Sequence, residues 1–320
     1  MVSLETRKEQ YREIYEMFNR NPRIYVKTVA SRLRVDPATA GRRIKEAIED
    51  VYVSFPQIRK RSFLNTKEYV YFANCERPLK SFREYKEDIR VVFHARMSGF
   101  SNLWITSKEE TNIKGHIIAS GPRSDYHVAY APNYSWKKAM EIAKKKAETT
   151  NPEEYEQKET IKINWNEPIE WGPKDEILLG EFKYNLRKKL SPIMRKHKIS
   201  AKKIYEFLDR MYERCTVFTR YFPETILNYD PYLFMFETDY EDFIVDLFSG
   251  LPTSSFFFKI SNKLFFYTNV DRSSIRYVGL RMSDMNELHI PLIAEDLFDR
   301  GIIKDEAKYA IVEYSWAKDL

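Results

Sequence analysis

Near its start the chain carries apolar side chains at helical spacing. Tyr11, Ile14, Tyr15 and Phe18 stand at i, i+3, i+4 and i+7 and predict an amphipathic helix over 10–20. Val26, Val29, Ala30 and Leu33 predict a second, shorter helix over 25–34. Asp36-Pro37 then offers an N-cap carboxylate followed by a proline at the first helical position. They open a third helix, which runs to about Glu49 with Ala40, Ile44, Ala47 and Ile48 facing in. Beyond it, 51–55 and 58–63 alternate about a Pro56-Gln57 turn and predict a two-stranded hairpin. Three short helices and a hairpin make a winged helix-turn-helix.

The rhythm then changes. Strands are expected over 69–74, 90–97, 102–107 and 126–131, helices over 78–88 and 135–146, and a closing strand over 160–165. The chain repeats this order. At an offset of 164 residues Phe18 falls on Phe182, Asn21 on Asn185, Arg23 on Arg187 and Ile44 on Leu208. At 163, Tyr69–Phe72 falls on Tyr232–Met235 and Ser98 on Ser261. Pro168, Gly172 and Pro173 mark the join. In the second copy strands are expected over 232–237, 255–260, 264–269, 275–281 and 308–314, and helices over 240–248 and 286–300. The expected fold class is α+β: two repeats, each a winged helix-turn-helix followed by a ferredoxin-like βαββαβ domain. The expected domains are 1–66, 67–166, 174–228 and 229–320. The aromatic stretches Phe256–Phe258 and Phe265–Tyr267 read as core and as the interface of an intramolecular pseudo-dimer.

Composition narrows the function classes. Only 9 of 320 residues are glycine, and no glycine-rich phosphate or dinucleotide motif occurs. Two cysteines and five scattered histidines predict neither a disulfide framework nor a metal site. No apolar run would span a bilayer, and the first ten residues are charged, so the expected setting is the cytoplasm. Net charge is only +6, but it is concentrated. Residues 20–64 hold eleven Lys/Arg against four Asp/Glu, and residues 183–204 hold nine Lys/Arg and no acid. Two basic windows at matching places in two repeats are the footprint of a polyanion surface.

The stretch Val29-Ala30-Ser31-Arg32-Leu33-Arg34-Val35-Asp36-Pro37 and the helix after it, with Arg42, Arg43 and Ile44, resemble the helix-turn-helix of the Lrp/AsnC (feast/famine) transcription regulators. Gly99 and Asn102 stand where that family has a Gly-x-x-Asp turn in its sensor domain, with Asn102 in place of the acid. The resemblance implies a tandem-duplicated, divergent regulator that binds double-stranded DNA and performs no chemistry. It implies paired ferredoxin-like domains that assemble as in a dimer and have room for a small-molecule effector. Ala38, Thr39, Arg42 and Arg43 would face bases. Lys45, Arg59, Lys60, Arg61, Lys196, Lys198, Lys202 and Lys203 would face phosphates. No cofactor, metal or membrane is expected as a partner, and further homo-oligomerisation stays open.

A second resemblance competes with the first. Asn102-Leu103-Trp104-Ile105-Thr106 resembles an Asn-Leu-Trp-Phe-Thr strand of the siroheme decarboxylases, which share the two-part fold. That resemblance implies an enzyme in which His94 and Arg96 meet the acidic side chains of a tetrapyrrole, His94 as proton donor and Arg96 as carboxylate clamp. A scaffold whose doubled sheet binds another protein is the third reading.

Overall fold

The computed structural model describes residues 2–272 and 290–316. The chain forms two compact units, and each gathers like parts of the two copies. One holds Met1–Lys60, Trp171–Tyr229 and Pro252–Ser254; the other holds Arg61–Glu170, Asp230–Leu251 and Ser255–Leu320.

In the helical unit, α1 (Leu4–Arg20), α2 (Val26–Leu33) and α3 (Pro37–Glu49) follow the expected order. Asp36 caps α3 by accepting the Thr39 N–H at 2.9 Å, and Pro37 fills the first turn. The strand β1 (Gln57–Lys60) comes next. The second copy supplies α6 (Pro173–Phe182), α7 (Leu190–His197), α8 (Ala201–Asp209), the single turn α9 (Met211–Arg214) and β7 (Cys215–Phe218).

The expected hairpin is absent: β1 pairs antiparallel with β7 of the other copy, from Gln57↔Phe218 to Lys60↔Cys215. Each wing then packs into the opposite copy. Ile58 is fully buried among Leu178, Phe182, Leu186 and Phe207. In return Tyr221 stacks on Tyr15 at 4.9 Å, under the Arg12 guanidinium. A four-residue wing has too few groups of its own to complete a ladder, and the duplicate provides them.

The repeat residues recognised in sequence form the clasp between the copies. Arg23 donates to the carbonyls of Leu186 and Lys188, and Arg187 donates to those of Pro22 and Ile24, the last at 2.8 Å. The Arg187 guanidinium sits 4.5 Å from the Phe18 ring centre, and that of Arg23 lies 5.8 Å from Phe182. Burial, and for Arg187 also the charge of Arg23, pulls both guanidinium pKa values down. The contact is self-complementary, as a two-fold dimer contact would be.

Among the described residues the second unit is built on one nine-stranded sheet. The first copy contributes β2 (Tyr69–Asn74), α4 (Pro78–Tyr85), β3 (Val91–Gly99), β4 (Leu103–Ser107), β5 (His116–Pro122), β6 (His127–Val128) and α5 (Trp136–Thr149). The second contributes β8 (Tyr229–Glu237), α10 (Glu241–Phe248), β9 (Phe256–Ile260), β10 (Lys263–Asp271), α11 (Ile290–Asp299) and β11 (Asp305–Trp316). The spatial order is β5-β2-β4-β3-β11-β8-β10-β9-β6. Each half therefore keeps the ferredoxin-like strand order, and the α+β class stands. The halves join where β3 meets β11 antiparallel and where β6 of the first copy pairs with β9 of the second. A bridge from Arg123 to Ile260 ties the segment after β5 to β9. Inner-face side chains from both halves share one core, with Phe72 stacked on Phe265 at 4.5 Å and Trp104 facing Phe258 at 5.8 Å.

Two expectations change here. The closing strand over 160–165 does not form; the amides of Lys158, Glu159 and Thr160 instead bind the buried Asp242 carboxylate at 2.7 to 2.9 Å. The fourth strand of the first half is β5, which comes before the helix rather than after it. Gly115 makes the entry to β5 with φ of 119°, where a Cβ would meet the Asn74 carbonyl at 2.6 Å. The strand expected over 275–281 and the start of the helix expected over 286–300 lie outside the described residues.

Candidate functional site

Side chains alternate along β3. Phe93, Ala95 and Met97 enter the shared core, so His94 and Arg96 take the outer face. Two residues apart on a strand, they are spaced about 7 Å along it. Their partners on β4 are Ile105 and Leu103, which belong to an outer apolar layer with Tyr71, Ala73, Val91 and Ile113. The Asn102–Thr106 string thus serves both faces: Trp104 points into the core while Leu103 and Ile105 floor the outer layer. Asn102 fixes the end of this floor. Its amide accepts from the Cys75 N–H at 2.9 Å and donates to the Cys75 carbonyl at 2.8 Å.

The helix α4 covers this face. Phe82 lies with its ring centre 4.5 Å from that of His94, and Phe82 and Tyr85 pack half-buried on the outer layer. His94 is only 2% exposed, while Arg96 is half-exposed. Along the helix runs an open cavity of about 610 Å³ lined by Arg77, Pro78, Leu79, Lys80, Arg83 and Glu84. Sequence reasoning singled out none of these cations. The available signal was the spacing of Arg77, Lys80 and Arg83 at three-residue steps, which puts them along one side of a short helix.

The second copy has different chemistry at the matching place. Phe257 stands where the first copy has His94, and Lys259 where it has Arg96. His127, carried across by β6, lies opposite Phe257 in register, with ring centres 6.0 Å apart. Burial lowers the His127 pKa, against the attraction of Asp242, so this ring favours its neutral form. Lys259 is paired with Glu241 beside a polar cavity of about 480 Å³. Among the described residues no group of three or more His, Cys, Asp or Glu could hold a metal ion.

The residues assigned to DNA are placed as follows. On α3, Ala38, Arg42 and Lys45 are exposed and Thr39 is half-exposed. Arg42 lies 3.9 Å from Glu46 and Lys45 lies 3.7 Å from Glu49. Arg43 is turned inward at 7% exposure, bonded to Gln10 at 2.7 Å and Glu46 at 2.6 Å. It shares the face of Ala40, Ile44 and Ala47, a position its spacing already implied. Arg59 donates to the Ile58 and Lys183 carbonyls, and Lys60 lies 3.5 Å from Glu176. Arg61 belongs to the sheet unit and lies 3.6 Å from Asp125. Lys196 joins His197 and Lys188 around Glu181, which these bases hold at a pKa of about 2. Lys198 ends α7 in the left-handed region and is exposed. Lys202 is 87% exposed and reaches Glu206 at 3.9 Å, while Lys203 pairs with buried Asp175 at 3.0 Å. Arg59 and Lys60 thus bind the other copy, and Arg61 stays within its own, rather than standing out on a free hairpin.

No protein-family model matches the sequence, and no curated protein matches it. Solved structures do. The crystal structure of the siroheme decarboxylase NirDL is similar over 96% of this chain and 91% of that one, at a TM-score of 0.51 and 10% identity. The same enzyme in co-complex with an iron-uroporphyrin III analogue covers 96% and 92%, at a TM-score of 0.48 and 10% identity. The fold is therefore one that an enzyme uses along nearly its whole length. This overturns the expectation of a DNA-binding regulator without catalysis. Among the described residues no helix is long and apolar enough to cross a membrane.

Proposed function

We propose that the chain is an enzyme of the siroheme decarboxylase type, which removes CO2 from an acidic side chain of a tetrapyrrole. The observation that carries this reading is the placement of His94 and Arg96 on one outward face of β3, above the Leu103 and Ile105 floor. The NirDL likeness supports the fold on which such a site would sit. The chemistry needs little else. The bond between the carboxylate carbon and its methylene breaks, and CO2 leaves. The electron pair left on the methylene takes a proton, so an acetate arm becomes a methyl group. Arg96 supplies a planar fork for the carboxylate, and His94 supplies the proton. An apolar floor favours loss of charge, because a carboxylate is poorly solvated there and neutral CO2 is not.

In this reading the site belongs to the first copy, and the second copy completes its sheet. The chain is then a covalent pseudo-dimer of the Lrp/AsnC fold family, divided as 1–66, 67–166, 174–228 and 229–320, working in the cytoplasm. The test is direct. Purified protein is mixed anaerobically with siroheme, the absorption spectrum is followed, and the extracted pigment is weighed by mass spectrometry. The expected result is a shifted band and a product lighter by one CO2 for each arm converted. Absence of both spectral change and product would overturn the reading.

A further inference from the structure

We infer that α4 is the element that grips the carboxylates of the substrate and moves aside to uncover His94; this rests on the decarboxylase reading above. Three observations converge. First, the cavity along α4 combines an apolar strip, Pro78 and Leu79, with the cations of Arg77, Lys80 and Arg83 and a single acid, Glu84. A flat apolar body edged with carboxylates is the ligand such a lining fits, with each guanidinium or ammonium meeting one acidic arm. Second, His94 is 2% exposed under the Phe82 ring, so a proton donor at this place needs its cover displaced.

Third, the duplication provides an internal control. At the 163-residue offset α4 corresponds to α10, and the two helices are held very differently. α10 buries Phe243, Ile244, Val245, Leu247 and Phe248. No side chain of α4 is fully buried, its packing being limited to the half-buried Phe82 and Tyr85, and it has no side-chain cap at its N-terminus. A segment held by so little lies at the low end of local stability, from which moving covers are drawn. The cations are confined to the same copy: Arg77, Lys80 and Arg83 fall on Tyr240, Phe243 and Asp246. The three cations, the lightly held helix and a histidine on the strand beneath it therefore occur together in the first copy, whereas the second has Tyr240, Phe243, Asp246 and Phe257 at the matching positions.

The experiment compares the whole protein with the variant R77A/K80A/R83A, whose three positions are exposed. Siroheme is titrated anaerobically and followed by absorption. Losing a charge-assisted hydrogen bond weakens binding roughly tenfold or more for each cation removed. A methyl-esterified siroheme, which has no carboxylates, is expected to bind both proteins equally. Hydrogen exchange is expected to change in 78–85 when siroheme binds and to stay unchanged in 241–248. The single charge reversal R83E provides the same reading should the triple variant fold poorly. If the wild-type protein binds siroheme and both variants bind it equally well, the role of α4 is overturned while the decarboxylase reading stands. If 78–85 exchanges no differently with siroheme bound, its movement is overturned. If the wild-type protein binds no siroheme, both readings fall.

Discussion

Replacing His94 by phenylalanine separates the chemistry of the site from its packing. Phenylalanine is what the second copy carries at the matching position, where Phe257 is fully buried. At position 94 the new ring would keep the contact with Phe82, 4.5 Å from centre to centre, over the same outer layer. Phenylalanine is slightly the larger ring, so the exchange in this buried place costs about 1–3 kcal/mol. The melting temperature of His94→Phe should therefore fall by only a few degrees. Activity should not survive. A positioned acid contributes about 10²- to 10⁴-fold, or roughly 3–5 kcal/mol of barrier. The assay is the initial rate of CO2 release from siroheme at saturating substrate, beside a thermal unfolding curve. A folded variant that keeps more than roughly a tenth of the wild-type rate would refute the role of His94. A large loss of stability would refute the packing half of the argument.

Other outcomes follow from the same contacts. Arg96→Lys keeps the charge but loses the planar fork, so KM should rise more than kcat falls, as read from steady-state kinetics. Arg187→Ala removes two hydrogen bonds to the Pro22 and Ile24 carbonyls and the cover over Phe18, so it should cost about 2–4 kcal/mol in a urea melt. The Glu181 pKa is held at about 2 by hydrogen bonds from Lys196, His197 and Lys188, against an ordinary value of 4.5. Its stabilisation is therefore fully present above pH about 4.5 and is lost as pH falls toward about 2. Glu181→Gln should lower stability at neutral pH and flatten that acid limb of the stability curve; an unchanged acid limb would show that the cluster contributes nothing.

The helices and their caps were legible because their causes are local. Asp36 and Pro37 start α3 by contacts three residues long. The duplication was legible because Phe18, Asn21 and Arg23 must match Phe182, Asn185 and Arg187 for the clasp to close from both sides. The inward turn of Arg43 was written in its spacing but hidden by its charge, since a buried guanidinium needs Gln10 and Glu46 to receive it. The strand β5 carries no clean alternation, and its place follows from pairing with β2.

The candidate site divides the same way. That His94 and Arg96 share a face follows from the two-residue period of a strand, which the sequence determines without help. That this face is the covered one, that α4 lies on it loosely, and that both wings end in the opposite copy are decisions of the tertiary structure. Local backbone preferences act over three or four residues, so they set caps, periods and faces. Which faces meet depends on partners beyond that range, more than 150 residues away for the wings and the clasp, and only packing between them can choose.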